Sequence, residues 1–374
     1  MTRPLKILQV YRTFFPDTQG GAEEMIRQLA MGLQQQGCES RVFVPSLKPT
    51  PREIEVSGVP VIRPRMHFEV ASCGFALTSL AEFQRQVAWA DVVNYHFPWP
   101  FADLLDLLAD VSKPKVITYH SDVVRQKLLL AFYRPLMERF LRSADAVVAT
   151  SSPYVESSAV LNRLSNVKVV PIGIDPNSYP EPNESERRDV LTRYGEGYFF
   201  FVGMLRYYKG LHILLEACSG TNLTVVIAGV GPEQEALKQQ AKKLGLENVK
   251  FIGRVSDEEK IALIDGARAL VFPSHLRSEA FGVTLLEGLM RGKPLITAEV
   301  GTGTSYVNSH SQTGYVVEAN NPAQLRDAML KLMDDSVVEQ FGFAAKQRFD
   351  ALFTARHMVS SYKRIYQQLV DNRA

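Results

Sequence analysis

The sequence predicts an α/β protein made of two doubly wound parallel sheets, and three observations carry that reading. Short apolar runs alternate with helical patterns in two successive series, which is how parallel strands linked by crossover helices read. A stretch rich in proline, asparagine and serine, PNSYPEPNESE from Pro176 to Glu186, separates the two series and reads as loop or linker. Glycine turns follow the first strand of each series. The 374 residues leave room for two domains, each with its own core.

Bulk composition narrows the class. A chain 46% hydrophobic and 22% charged is of the ordinary soluble globular kind. A net charge of +2 gives no general field for polyanions, so nucleic acid is not an expected partner. The three cysteines, Cys38, Cys73 and Cys218, are too scattered for a disulfide framework or a zinc site. The start, MTRPLKILQVYRTFF, lacks a signal-peptide core, and no apolar run approaches the roughly 18 residues of a spanning helix. The expectation is a cytoplasmic chain that meets a membrane, if at all, from its surface.

The first series begins with a buried strand, Leu5 to Tyr11. A polar loop then leads to Gly20-Gly21 and a helix over Ala22 to Gln36, whose Met25, Ile26, Leu29 and Leu33 keep helical spacing. Two adjacent glycines let a backbone approach a ligand phosphate closely, or merely make a tight turn. Strands follow at 40–44, 59–63, 91–95, 115–119, 146–149 and 167–170. Ligands of doubly wound sheets gather at the carboxyl ends of the strands, and two such ends carry polar residues, Asn94-Tyr95-His96 and Tyr119-His120-Ser121-Asp122. Ser121 and Asp122 are candidates to start the next helix. The segment from Arg125 to Arg142 carries five basic residues against Glu138 alone, with a wide apolar surface, so it reads either as a basic amphipathic helix for an anionic membrane surface or as a core helix; Pro135 should kink it.

The second series has strands at 198–202, 223–228, 249–252, 269–272, 294–297 and 314–317. After the first comes Gly203, with Arg206 and Lys209 three apart. In a first helical turn that spacing lets them share one side, and two cations there suit a diphosphate. After the fourth, the stretch SHLRSEAFGVTLLEGLM sets Glu279 and Glu287 eight residues apart across the turn Ala280-Phe281-Gly282. A helix starting near Gly282 leaves the amides of Val283, Thr284 and Leu285 without intrahelical partners. Such an end favours an anion or a set of hydroxyls.

The ordered set Gly20-Gly21-Ala22-Glu23, Tyr119-His120-Ser121-Asp122, Pro171-Ile172-Gly173-Ile174-Asp175, the Lys209-Gly210 turn and Glu279-x-Phe281-Gly282-x4-Glu287 resembles the family 4 retaining glycosyltransferases along nearly the whole chain. The resemblance implies GT-B architecture: two Rossmann-like domains facing a cleft, residues 1–173 for the acceptor and 174–353 for the nucleotide-sugar donor, with the last helix, about 354–374, packing back on the first domain. It implies that Glu279 and the following amides of Phe281, Gly282, Val283 and Thr284 hold the donor sugar, and that Glu287 binds the ribose. Gly21 and Gly203 would approach the diphosphate, Arg254 and Val255 would flank the base, and His120 would lie against the donor sugar. Gly20, His96 and Asp122 are the acceptor-side candidates.

Two departures from the family pattern stand out. Met204 occupies the usual arginine position, so Lys209 carries over more cleanly than Arg206. Ser305, in Gly301-Thr302-Gly303-Thr304-Ser305, replaces an acid common in relatives and leaves that loop without an assigned role. No Asp-x-Asp signature follows a strand. No metal or other cofactor is therefore expected, and Lys209, Arg206 and helix amides are left to carry the charge of the departing diphosphate. The expected activity is retaining transfer of a hexose from a nucleotide diphosphate sugar, GDP-mannose first and a UDP-sugar second, to a glycan or lipid-linked glycan of bacterial surface polysaccharide. The alternatives are a sugar-nucleotide epimerase of the same fold and a non-catalytic nucleotide-sugar-binding protein.

Overall fold

The computed structural model describes residues 3–70, 73–123 and 127–373. The chain divides into two compact units, residues 1–173 with 355–374, and residues 174–354.

The first unit contains ten strands: β1 (Lys6–Val10), β2 (Glu39–Phe43), β3 (Glu53–Val56), β4 (Val59–Ile62), β5 (Phe68–Val70), β6 (Cys73–Phe75), β7 (Val92–Phe97), β8 (Lys115–Tyr119), β9 (Ala146–Ala149) and β10 (Val167–Val169). Eight form one sheet in the order β10-β9-β8-β7-β1-β2-β4-β3. Every pairing is parallel except the edge hairpin of β3 on β4. The chain runs from β1 to β2 on one side and later to β7 on the other. The crevice above β1 and β7 is therefore the switch point where a doubly wound sheet binds ligand. β3 is not legible in the apolar pattern, because Glu53 and Glu55 dilute it, and neither is the small hairpin of β5 and β6.

The helix Gly21–Gln35 buries Met25, Ile26, Leu29, Ala30 and Leu33 against this sheet. Its Gly32 allows the final helix, Ala355–Asp371, to lie close, since a Cβ there would fall 2.4 Å from Val359 Cγ2. Tyr362 and Tyr366 of that helix are fully buried, and Lys363 Nζ donates to the Gln36 carbonyl at 2.6 Å. The last helix is thus part of the first unit's own core.

The second unit holds β11 (Tyr198–Val202), β12 (Val225–Ala228), β13 (Val249–Gly253), β14 (Ala267–Phe272), β15 (Leu295–Glu299) and β16 (Gly314–Glu318), all parallel, in the order β13-β12-β11-β14-β15-β16. Here the switch point lies between β11 and β14. The stretch 176–186 is less loop-like than its composition predicts. Asn183 accepts from the Glu186 amide at 3.0 Å and Glu186 returns the bond to the Asn183 amide at 2.7 Å, a reciprocal cap that starts the helix Glu184–Tyr194.

Candidate active site

Leaving β11, the chain turns at Gly203 with φ 155°. A Cβ on Gly229, which follows β12, would lie 1.9 Å from the Gly203 carbonyl oxygen, so the two loops cross backbone on backbone. A single 3-10 turn, Tyr207–Lys209, ends at Gly210 with φ 71°, where a Cβ would lie 2.0 Å from the Pro273 carbonyl oxygen. Two glycines therefore press the Lys209 turn against the segment leaving β14. The buried Lys209 ammonium donates to Glu279 and sits 4.3 Å from the centre of the Phe272 ring.

Glu279 is also buried, and Ser274 Oγ donates to its Oε2 at 3.2 Å. Its main-chain carbonyl accepts from Thr302 Oγ1 at 2.7 Å, which gives the Gly301–Ser305 loop a role the sequence left open. Ser305 itself turns away, donating to Glu299 at 3.1 Å. Lysine, carboxylate and hydroxyl thus converge at the β11/β14 switch point.

The helix Val283–Met290 begins just after this carboxylate, with Gly282 at φ 90° as its cap. The Leu285 amide is engaged with the Gly282 carbonyl at 2.9 Å, contrary to the expectation of three open amides. The amides of Val283 and Thr284 are the ones left without a partner among the described residues. Phe281, expected beside a ligand, is buried with its ring edge-on to Phe353, so only its main chain is on offer there.

Glu287, two turns along, accepts from Lys260 Nζ at 2.9 Å, and that ammonium also meets Asp257 at 2.9 Å and the Tyr179 ring at 5.3 Å. Burial pulls the Lys260 pKa down, but the two carboxylates outweigh it and raise it, so the ammonium stays charged. Lys260 gives no sign of this role in the sequence, because Asp257-Glu258-Glu259-Lys260 reads as the solvated first turn of a helix.

Arg206 does not join Lys209. It stands in extended conformation (φ −116°, ψ 151°) before the 3-10 turn and is exposed, whereas Lys209 is buried. No α-helical turn spans the two, so the expected common side is not formed. Arg254 and Val255 lie in the loop after β13, the first exposed and the second half-buried.

At the β1/β7 crevice of the first unit, Gly20 is extended (φ −172°) and starts the helix of Gly21. Neither glycine has a positive φ. A Cβ on Gly20 would lie 2.8 Å from Glu23 Oε2, so the glycine there makes room for a carboxylate that also accepts from Thr18 at 2.9 Å. His96 lies inside β7 rather than past its end and is 1% exposed, which removes it from direct contact with a ligand. Half-buried His120 follows β8, with its Nε2 2.8 Å from His96 Nδ1. Burial, then the Arg12 charge, lower the His120 pKa to about 3. Asp122 starts no helix: its carboxylate accepts from Tyr119 at 2.9 Å and Ser158 at 2.7 Å. The next helix, Lys127–Ser143, begins later and runs through Pro135; Arg125 falls outside the described residues.

The model of Glycosyltransferase Family 4 matches residues 19–178, and that of Glycosyl transferases group 1 matches residues 182–348. The chain is 47% identical over 353 residues to the D-rhamnosyltransferase WbpZ of Pseudomonas aeruginosa, covering 94% of this chain and 93% of that one. The chain belongs to the family 4 glycosyltransferases. This glycosyltransferase is also 41% identical over 374 residues to the O-antigen chain mannosyltransferase C of Escherichia coli, covering 99% of this chain and 100% of the relative. Among solved structures, sucrose-phosphate synthase from Thermosynechococcus elongatus superposes with a TM-score of 0.81 at 20% identity, over 98% of this chain and 100% of that one. HepE of Anabaena in complex with UDP-glucose gives 0.78 at 19% identity, over 97% and 100%. These likenesses identify the fold as GT-B.

Among the described residues, no helix is long and apolar enough to cross a membrane. The chemistry open to this glycosyltransferase lies in its two switch points. One offers a buried cation, two carboxylates and two helix-start amides, and the other an imidazole with a fixed partner.

Proposed function

We propose that this glycosyltransferase is a retaining, metal-independent enzyme that moves a mannose-type hexose from a GDP-sugar, with a UDP-hexose as second choice, to a lipid-linked glycan of a bacterial surface polysaccharide. The observation that carries the reading is the Lys209–Glu279 pair beneath the Val283–Met290 helix. A lysine released from Glu279 by substrate pairs with the diphosphate. The Val283 and Thr284 amides meet the same developing charge without reorganising.

Glu279, held by Ser274 and Thr302, then accepts from hydroxyls of the donor sugar and positions it. Glu287, steadied by Lys260, accepts from the ribose. Arg254 and Val255 flank the base, Gly21 and Gly203 let the main chain approach the diphosphate, and exposed Arg206 swings to it on binding. His120 faces the donor sugar. No side chain is assigned as a nucleophile, so the acceptor hydroxyl attacks the face the diphosphate leaves, and a phosphate oxygen takes its proton. A sugar bonded to the acceptor with its original anomeric configuration follows.

The names of the two curated relatives support a mannose-type sugar. D-rhamnose is 6-deoxy-D-mannose, so GDP-D-rhamnose belongs in any donor panel. A place on the cytoplasmic face of the membrane draws on the Lys127–Ser143 helix. Met137, Phe140 and Leu141 are core, while Phe132 is 87% exposed on the same helix as the basic Arg134, Arg139 and Arg142. Arg134 and Arg142 both pair with Glu138, which reduces the net basic charge on that face. Vesicle co-sedimentation of wild type and Phe132→Ser tests this part.

The direct test incubates the protein with GDP-mannose, GDP-D-rhamnose, UDP-glucose or UDP-N-acetylglucosamine and a lipid-linked glycan fraction, with and without chelator. The expected result is one preferred donor, transfer unaffected by chelator, and a product whose anomeric coupling matches the donor's. Transfer with inverted configuration, or transfer abolished by chelator and restored by a divalent cation, refutes the corresponding part.

A further inference from the structure

Three buried polar residues in the first unit have no part in the chemistry above, yet they end on His120. Gln9 of β1, Asn94 and His96 of β7 are at most 1% exposed, with Thr118 of β8 buried beside them. Polar groups buried this deeply are costly unless each bond is satisfied in a definite direction. That direction can be followed from one end. Thr118 Oγ1, itself bonded to the Tyr362 hydroxyl at 3.1 Å, donates to Asn94 Oδ1 at 3.0 Å. This orients the Asn94 amide so that Nδ2 donates to Gln9 Oε1 at 2.7 Å. Gln9 Oε1 is therefore an acceptor; His96 Nε2 lies 2.9 Å from it and a longer 3.4 Å from Asn94 Nδ2, so the shorter contact decides and Nε2 carries the proton.

Neutral His96 then has a bare Nδ1, and the His120 Nε2 that lies 2.8 Å away must be protonated to bond it. The two rings are 5.1 Å apart between centroids and inclined by only 21°, so they meet edge to edge with lone pair and N–H in line. What remains on His120 is a bare Nδ1, which makes no hydrogen bond within the described residues. Around the two rings pack the Tyr11 ring, 5.6 Å from His120 and 5.8 Å from His96, and Arg12 beyond it.

We propose that Gln9, Asn94 and His96 form a tautomer-setting relay that presents His120 to the donor sugar as a neutral acceptor, so that Nδ1 recognises a hydroxyl. A phosphate oxygen or a carbonyl offers no proton to such an atom, and a second positive charge beside Arg12 is avoided. His96 is thus a positioning residue that acts through His120 and never touches the ligand. The proposal rests on the donor reading given above for its substrate, but the state of the ring is independent of it. Burial and the neighbouring His120 ring lower His96 well below the ordinary histidine range, which agrees with a relay of two neutral rings.

The test labels the seven histidines with ¹⁵N and reads the ring nitrogens of His120, assigned with His120→Gln, between pH 5 and 8. The expected spectrum is the neutral Nε2–H form throughout. His96→Phe keeps an aromatic ring but removes the acceptor, so His120 should then populate both tautomers while burial and the Arg12 charge still keep it neutral over this range. In the same variant kcat/KM for the donor should fall about 2- to 10-fold, to the same extent at pH 6 and pH 8, from the smaller share of the competent tautomer and the lost hold on the ring. His96→Gln, which can accept through Oε1 and donate through Nε2, should restore the tautomer and most of the activity. It also serves as the variant of choice if His96→Phe melts out.

A wild-type His120 carrying its proton on Nδ1, or a ring state unchanged in His96→Phe, overturns the relay. A changed ring state with unchanged donor kcat/KM overturns its role in recognition. A wild type that turns over no nucleotide sugar instead sinks the donor reading, and the ring spectra still decide the relay.

Discussion

Replacing Lys209 by methionine is the most informative single change, because it separates stability from turnover. The side chains of Lys209 and Glu279 are 11% and 10% exposed, so neither partner has bulk water to replace a lost bond. Removing the cation from such a pair typically costs about 3–5 kcal/mol, most of it the penalty for a carboxylate left buried. Ser274 Oγ still reaches Glu279, which favours the lower end, about 3 kcal/mol. For a unit of this size that lowers Tm by about 6–12 °C.

The double variant Lys209→Met with Glu279→Gln leaves no uncompensated charge. It should recover at least about 1.5 kcal/mol of that loss, a coupling expected only for groups in contact. Catalysis should behave oppositely: Lys209→Met loses about 10²- to 10³-fold in kcat, as for the loss of one preorganised charge stabiliser, and the double variant loses at least as much. Thermal melts and donor turnover on the four proteins of the cycle test both parts. Strictly additive melting shifts would mean that Lys209 and Glu279 are not coupled, and a Lys209→Met enzyme with near wild-type kcat would mean that Lys209 carries none of the developing charge.

Three further outcomes follow from the same geometry. Lys260→Met frees Glu287 from its orienting partner and should raise KM for the nucleotide sugar about 10-fold with kcat little changed, since the ribose contact is equal in ground and transition states; a pure kcat effect in steady-state kinetics would contradict it. Gly210→Ala must place a methyl group 2.0 Å from the Pro273 carbonyl oxygen at a φ of 71°, so the Lys209 turn has to move. A loss of about 2–4 kcal/mol in denaturant melts, together with weaker nucleotide binding, is expected. The His120 pKa, about 3 when folded, lies below its unfolded value near 6.5, so the unfolded chain binds the extra proton. Stability from this group is complete above pH 6.5 and is lost as pH falls toward 3, by about 2 kcal/mol at pH 5; His120→Gln should flatten that part of the Tm profile, and a parallel profile would contradict it.

The two series of strands were legible in the sequence because buried parallel strands are continuous apolar runs. Those at Lys115–Tyr119, Ala146–Ala149 and Tyr198–Val202 have the bounds their apolar runs predict. The Glu279 turn was legible because a glycine between a strand and a helix marks a backbone that comes close to something. Direction and environment were not legible. Nothing in the spacing of Arg206 and Lys209 says that one is exposed and the other buried, since that depends on Gly210 closing on Pro273. His96 read as a strand-end residue because polar Asn94 broke the apolar run, yet the strand continues, and Gln9, which Asn94 orients, is the reason His96 can be buried there. Lys260 was hidden by the acidic residues around it, its partner lying 27 positions away on another helix. The Asn183–Glu186 cap was readable by its spacing, but the prolines before it suggested a longer loop.

Calorimetric titration of the wild type and Lys209→Met with GDP-mannose, GDP-D-rhamnose and UDP-glucose probes the diphosphate site most directly. One nucleotide sugar should bind the wild type, with the affinity falling at least about 10-fold in the variant, the share expected of one charge-assisted contact to the diphosphate. Equal affinity in both proteins, or no binding of any nucleotide sugar at millimolar concentration, would contradict a diphosphate held at the β11/β14 switch point.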